Sequence, residues 1–255
     1  MPTMEHVTHV VGNPVHRQLI CIEVGASSVE TVLLESDLVV HRQLGVVAPA
    51  GQPLLIAVPG LVEGTRVVTS SNLGWCDVDP AVQLGLVGPA DIICNDAEAA
   101  ALGESALREG HPDLVFVGLG TGVGGAVVRD GVAEANLFAH GGSFGERACG
   151  CGRVGCLETV AGGWALPASL TENDLSELAH AVARAVEDEP LATPSLVVLA
   201  GGLTAAYPSL VTLLGNALPN RHVVQTAAPS TKSAAAWGLQ YLYNTRTLLM
   251  PSTKN

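Results

Sequence analysis

Basic residues are scarce in this chain: 12 lysines and arginines stand against 24 aspartates and glutamates, a formal net charge of −12. That balance argues against recognition of nucleic acid through its phosphates, which needs basic surface, and it fits a well-solvated acidic exterior. Charged residues of all kinds make up only 14% of the 255 residues, against 48% hydrophobic. The chain is therefore globular, with length for one large domain or two medium ones. No run is long and apolar enough to cross a bilayer, and the opening MPTMEHVTHVVGNPVHRQ has no basic segment followed by a long apolar stretch. Neither a membrane span nor a signal peptide is expected, and the cytoplasm is the expected compartment. There is no repeat of solenoid period and no low-complexity linker. In such a setting the six cysteines are expected as thiols or metal ligands, not as a disulfide framework.

Residues 1–18 read as a loose leader. Strand-like apolar runs follow at Leu19–Val24, Val29–Leu34, Leu38–His41, Leu54–Val58 and Asp91–Cys94. An alanine-rich helix is predicted from Asn95-Asp96 to Gly110. Strands return at Leu114–Leu119, Ala126–Arg129 and Ser195–Ala200, with helices over Asp174–Asp188 and Thr231–Asn244. This alternation predicts an α/β architecture. The two three-strand openings, at Leu19 and Leu114, each bend around a glycine-containing turn and suggest two similar halves facing across a cleft.

Four stretches hold residues suited to chemistry. Gly120-Thr121-Gly122-Val123-Gly124-Gly125 lets backbone N–H groups approach an anion, but strand-forming residues follow it. It is therefore either an ordinary glycine hairpin or a phosphate-holding one, not a dinucleotide-binding loop. Gly25-Ala26-Ser27-Ser28 is the corresponding turn of the first half, with Glu23 just before it. It reads either as a polar hairpin or as N–H and hydroxyl groups for terminal phosphates, with Glu23 holding Mg²⁺. Asp96, between a strand and a helix, is either an N-cap or a general base for phosphoryl transfer. Cys149, Cys151 and Cys156, spaced among glycines, suit tetrahedral Zn²⁺ with His140 as fourth ligand; the bland alternative is three buried or redox-active thiols. Cys21, Cys76 and Cys94 are expected in the core.

Taken in order, these stretches resemble the ROK family of repressors, open reading frames and sugar kinases, over most of the chain. Ser71-Asn72-Leu73-Gly74-Trp75 is similar to its S-x-N-L-x-x-W stretch, one residue shorter. Asn95-Asp96-Ala97 with Ala99 to Glu104 is similar to N-D-A-N-A-A-A-L-G-E, and Gly120 to Gly125 to the second phosphate motif. Cys149 to Glu158 resembles C-x-C-G-x-x-G-C-L-E, and Leu199-Ala200-Gly201-Gly202 the late glycine turn near the adenosine. The resemblance implies an actin/hexokinase-like, RNase H-like fold of two lobes. Residues 1–93 would form the first, and 94–230, with the zinc loop, the second. The helix 231–244 would pack back on the first. ATP, Mg²⁺ and structural Zn²⁺ are the implied cofactors. Asp96 would be the catalytic base, with Gly60, Asn72, Asn95, Glu146 and Glu158 around the substrate. Gly25, Ser27, Ser28, Gly120, Thr121, Gly122, Gly124, Gly201 and Gly202 would serve the nucleotide. The expected partners are a sugar or cyclitol and a second copy of the chain, with no nucleic acid and no membrane.

The departures bear on the substrate. Glu23-Val24-Gly25-Ala26-Ser27 stands where the family has D-x-G-G-T. The segments before Pro59 and between Glu158 and Leu199 are abbreviated. The motif A-G-E-x-G-H is altered, and two alignments compete. In one, His140 is the family histidine and Leu137 replaces the glutamate; in the other, Gly145-Glu146 is the G-E pair. The spacing to Cys149 favours His140. The altered pocket admits a C7-cyclitol as well as a hexose. A non-catalytic sugar-binding protein and a polyphosphate-dependent glucokinase remain the rival readings.

Overall fold

Apolar segments of the N-terminal third build the first sheet. The computed structural model describes residues 18–25, 28–35, 38–46, 51–108, 113–135, 138–188, 196–228 and 234–249. Strand β1 (Gln18–Val24) pairs antiparallel with β2 (Val29–Glu35), and β2 with β3 (Leu38–Leu44). On the other side of β1 lies β4 (Leu54–Val58), parallel to it. All of its residues, LLIAV, are buried, as in a strand covered on both faces. A small antiparallel sheet of β5 (Leu61–Glu63), β6 (Arg66–Ser70) and β7 (Trp75–Val78) comes next. It is a feature the sequence reading did not foresee, because these strands are short and largely exposed. Cys76 lies on β7 and is exposed, which corrects its expected place in the core. After a single turn of helix, α1 (Pro80–Gln83), strand β8 (Ile92–Asn95) joins β4 in parallel, giving the order β3-β2-β1-β4-β8.

The second sheet repeats this path. Helix α2 (Asp96–Leu107) leads to β9 (Leu114–Leu119), β10 (Val123–Arg129) and β11 (Val132–Ala135), which are antiparallel. Beyond the loop come α3 (Glu158–Ala161), α4 (Glu172–Glu187) and β12 (Leu196–Ala200), the last parallel to β9. Helices α5 (Gly202–Ala206) and α6 (Ser209–Ala217) precede β13 (His222–Gln225). The order β11-β10-β9-β12-β13 matches that of the first sheet, so the two halves share one topology. Thr171 and Asp174 form a reciprocal capping box that starts α4. Its buried face, Leu175, Leu178, Ala179, Val182 and Val186, covers one side of the second sheet.

Two helices lie between the sheets. Helix α7 (Ala234–Leu249) packs along α2, and both belong to a core cluster that takes side chains from both sheets, among them Leu19, Leu55, Leu114 and Val198. The crossing is made of small residues. A Cβ at Gly103 would overlap the Ala234 carbonyl, and one at Gly238 would overlap the Ala99 carbonyl. Close approach of two backbones is the reason for glycine at both positions. Beside the crossing, the buried Glu104 carboxylate pairs with Arg108 and accepts from the Thr226 hydroxyl and, at 3.0 Å, the Ala227 N–H. The expected helix 231–244 thus runs from 234 to 249, its first three expected residues lying outside those described.

The crossing generates a test. An open helical glycine changed to alanine gains up to about 1 kcal/mol. Gly103→Ala and Gly238→Ala should instead each lose about 1–3 kcal/mol, because backbones must part to admit the methyl group. Urea midpoints measure this, and an unchanged or raised midpoint in both variants would contradict the crossing.

Candidate functional site

The end of β8 and the start of α2 divide two roles between neighbours. Asn95 is the helix N-cap: its Oδ1 accepts the N–H groups of Ala97 at 2.9 Å and Glu98 at 3.1 Å. Its Nδ2 donates to the Gly60 carbonyl at 2.8 Å, tying the helix start to the turn after β4. Asp96 is therefore not the cap but the first helical residue. Its carboxylate accepts the Ala97 N–H, at 2.9 Å. Burial pushes its pKa up to about 6, against the lowering effect of the backbone N–H groups of Ala97 and Asp96.

The glycine turn approaches this point from the second sheet. The expected six-residue loop is shorter in the structure, because Gly124 and Gly125 belong to β10, opposite Gly118 and Val117. The antiparallel ladder extends over them, and the turn proper is Gly120-Thr121-Gly122. Its carbonyls are engaged: Gly120 accepts from the Gly163 N–H at 2.9 Å, Thr121 from the Trp164 N–H at 3.1 Å, and Gly122 from the Gly120 N–H at 3.0 Å. Among the described residues the N–H groups of Thr121 and Gly122 have no acceptor. That is the arrangement of an anion-binding concavity. A Cβ on Gly124 would lie 3.5 Å from the Ala97 methyl group, so β10 rests on the first turn of α2.

Glu158, only 3% exposed, closes the group. Its Oε2 accepts the Val123 N–H at 3.1 Å and would lie 2.5 Å from a Cβ at Gly122; Asn72 Nδ2 would be 3.9 Å from the same point. Gly122 thus leaves room for the Glu158 carboxylate, with Asn72 at ordinary contact distance. The fold brings together Gly60, Asn72, Asn95, Asp96, Gly122, Gly124 and Glu158. Gly201, with φ +100°, lies against the Leu119 carbonyl at the base of the turn and precedes α5, which opens with Gly202. Glu146 is exposed, and no bond joins it to Asn72, Asn95, Asp96 or Glu158. At the first turn, the Gly25 N–H donates to the Ser28 carbonyl at 2.7 Å, while Glu23 Oε1 accepts the Ala236 N–H of α7 at 3.2 Å. Ser27 and Leu137 lie outside the described residues. The sequence reading missed Gly163 and Trp164 as holders of the turn; the Gly162-Gly163 pair soon after Glu158 was the available signal.

The cysteine loop gathers four donors. His140, Cys149, Cys151 and Cys156 each offer a ligand atom, all within 4.8 Å of one another. Cys151 and Cys156 sulfurs are 3.6 Å apart, and Cys149 Sγ is 3.5 Å from His140 Nδ1. Bond lengths of about 2.3 Å to sulfur and 2.0–2.1 Å to nitrogen give tetrahedral edges of roughly 3.8 and 3.5 Å, so the donors fit a Cys₃His centre. Of the competing alignments, the geometry places His140 with the thiols. The loop is braced by Cys149 N–H to the Arg153 carbonyl at 2.8 Å and by the Arg153 guanidinium to the His140 carbonyl at 3.1 Å.

Because the folded Asp96 carboxyl, at about 6, lies above its ordinary 3.8, the native state holds that proton more tightly than the unfolded chain does. Stability contributed by neutral Asp96 is complete below pH 3.8 and is lost as pH rises through about 6. Asp96→Asn should accordingly raise Tm at pH 7.5, and the gain should vanish near pH 4. A variant less stable than the parent at pH 7.5 would show that the charge is not desolvated.

Comparisons with known proteins bear on this arrangement. A model of the ROK family matches residues 40–215. A protein named N-acetylmannosamine kinase from Salmonella typhimurium strain LT2 is 29% identical across 60% of this chain and 64% of its own. The match thus spans less than two thirds of that curated relative. Among solved structures, a ROK family glucokinase from Streptomyces griseus, in complex with glucose and AMPPNP, superposes with a TM-score of 0.69 at 17% identity. The match covers 88% of this chain and 98% of that one. A ROK family transcriptional regulator, homologous to the E. coli MLC protein, gives a TM-score of 0.68 at 19% identity over 93% and 81%. At these identities the structural likeness establishes a shared fold, the two-lobed actin/hexokinase-like one.

Proposed function

The chain belongs to the ROK family, and we propose that it phosphorylates a primary hydroxyl of a sugar or sugar-like polyol with ATP, Asp96 acting as general base. One observation carries this reading: Asn95 takes the helix cap, leaving the Asp96 carboxylate, half-buried, at the start of α2, on whose first turn β10 rests through Gly124 and Ala97. An alcohol is a poor nucleophile at neutral pH, and a carboxylate within hydrogen-bond reach removes its proton as the bond to phosphorus forms. The N–H groups of Thr121 and Gly122 would hold the donor phosphates, with Gly25, Ser27 and Ser28 from the first turn and Gly201-Gly202 toward the nucleoside. Mg²⁺ bound with the donor supplies charge neutralisation, and Glu23, at the end of β1, would hold it. The sheets of residues 1–93 and 94–230 would be the lobes on either side.

The substrate groups are Gly60, Asn72, Asn95 and Glu158. Asn95 can give a hydroxyl only one N–H, since its oxygen is filled by the helix and its other N–H is taken by Gly60. His140 sits in the cysteine cluster and Glu146 is exposed, so few polar groups remain for the far side of the acceptor. This favours a hexose or C7-cyclitol with little to bind there. The regulator among the structural neighbours keeps a second reading, a sugar-binding protein without catalysis; the engagement of Glu23 with α7 favours it.

Asp96→Asn decides between them. The change should lower kcat by roughly 10²–10⁴-fold with sugar affinity little altered. For the parent, activity should fall as pH drops through about 6, where Asp96 takes up a proton. Turnover equal to the parent's would remove Asp96 from the mechanism.

Zn²⁺ is the metal proposed for Cys149, Cys151, Cys156 and His140, where it would rigidify the loop next to Glu158. Elemental analysis of the purified protein should find one Zn²⁺ per chain. Absence of zinc, with all three thiols open to titration in the folded protein, would reject the site.

A further inference from the structure

The segment after the last cluster cysteine grips the cluster on one side and the glycine turn on the other. Toward the cluster, the Thr159 hydroxyl donates to the Cys156 carbonyl at 2.7 Å. Arg147, from the cysteine loop, donates to the carbonyls of Thr159 and Ala165, both at 3.2 Å. Cys149 Sγ lies 3.7 Å from Glu158 Oε1. Toward the turn run three backbone donors: Val123 to Glu158 Oε2 at 3.1 Å, Gly163 to Gly120 at 2.9 Å, and Trp164 to Thr121 at 3.1 Å. One buried carboxylate thus touches a cluster thiol with one oxygen and the first residue after the turn with the other.

We propose that Glu158 is a positioning residue that couples occupancy of the Cys₃His cluster to the geometry of residues 120–123, so that metal and donor phosphates favour each other's binding. The proposal rests on the reading of the cluster and turn given above. Its physical basis is rigidity. The loop has little packing of its own, since Glu146, Arg147, Ala148, Gly150, Gly152, Arg153 and Val154 are exposed. A metal that gathers the four donors deprotonates the thiols and fixes Cys156 and, through Leu157 and the Thr159 hydroxyl on the Cys156 carbonyl, the start of α3 that carries the Glu158 carboxylate. That carboxylate sits where Gly122 would carry a side chain and fixes the Val123 N–H. The Thr121 and Gly122 N–H groups then keep one orientation. Coupling of this kind is reciprocal: whatever the metal does for phosphate binding, phosphate does for the metal.

Amide hydrogen exchange over residues 119–125 and MgADP affinity, each with Zn²⁺ loaded and after chelation, test it. In the parent, chelation should speed exchange at Val123 and weaken MgADP by about 5–150-fold, the usual range of coupling between two sites. In Glu158→Ala both should sit at the chelated level and ignore the metal; Glu158→Gln, which keeps an acceptor for Val123, should retain the response. Metal-independent exchange in the parent, or an unchanged metal effect in Glu158→Ala, would overturn the coupling. If exchange follows metal and Glu158 but MgADP does not bind, the coupling stands and the nucleotide reading fails. If chelation unfolds the protein, Co²⁺-loaded samples decide. MgADP should shift the visible Co²⁺–thiolate bands of the parent and not of Glu158→Ala, and no shift in the parent would refute the proposal.

Discussion

The contact between α2 and α7 is the constraint on which the rest of the fold depends. Two sheets of equal topology have to be joined by something thin enough to let both pack on it, and two helices crossing at glycine and alanine provide that. Gly103 and Gly238 bring the backbones into contact with the facing carbonyls of Ala234 and Ala99. Larger residues would hold the helices apart and open the single core they share with both sheets. Glu104 reinforces the arrangement with a buried, fully engaged carboxylate, which ties α2 to the segment following β13.

The same crossing sets the geometry of the site. Helix α2 begins between the sheets, so its first turn lies where β10 of the second sheet and Gly60, just beyond β4 of the first, both reach. Asn95 anchors this start to the first sheet through Gly60, and Gly124 rests on Ala97 from the second. Both sheets are therefore registered on one helical turn. Displacement of either would move its groups relative to the Asp96 carboxyl.

The cysteine loop is held differently. It carries few buried apolar side chains and depends on backbone hydrogen bonds, four gathered donors and cations set on aromatic rings. The Arg147 guanidinium lies 5.7 Å from the Trp164 ring, and that of Arg184 lies 4.0 Å from Phe144. The first contact places the loop against the segment that holds the turn, and the second places it against α4.

The longer strands, the alanine-rich helix after Asn95, and the three thiols at 149–156 were legible in the sequence, because each rests on local spacing: apolar runs, small helix formers, thiols among glycines. β11 and β13 were not read, and His140 belonged to one of two competing alignments. β4 and β9 coincide with the expected runs Leu54–Val58 and Leu114–Leu119, since both are continuous buried segments bounded by turns. The small sheet of β5 to β7 was not legible, because its short exposed strands carry no period strong enough to read. Nor was the exposure of Cys76. In the sequence Asp96 reads as either the N-cap or a general base, because both roles suit a carboxylate where a strand meets a helix; the structure gives the cap to Asn95. Tertiary structure decided it, because only in the fold is the Gly60 carbonyl present to hold Asn95 in the capping position. Likewise the sequence placed Glu158 beside a cysteine motif, but its reach to Val123 joins elements 35 residues apart, a distance that no local pattern records and that only the packing of α3 beneath the turn could close.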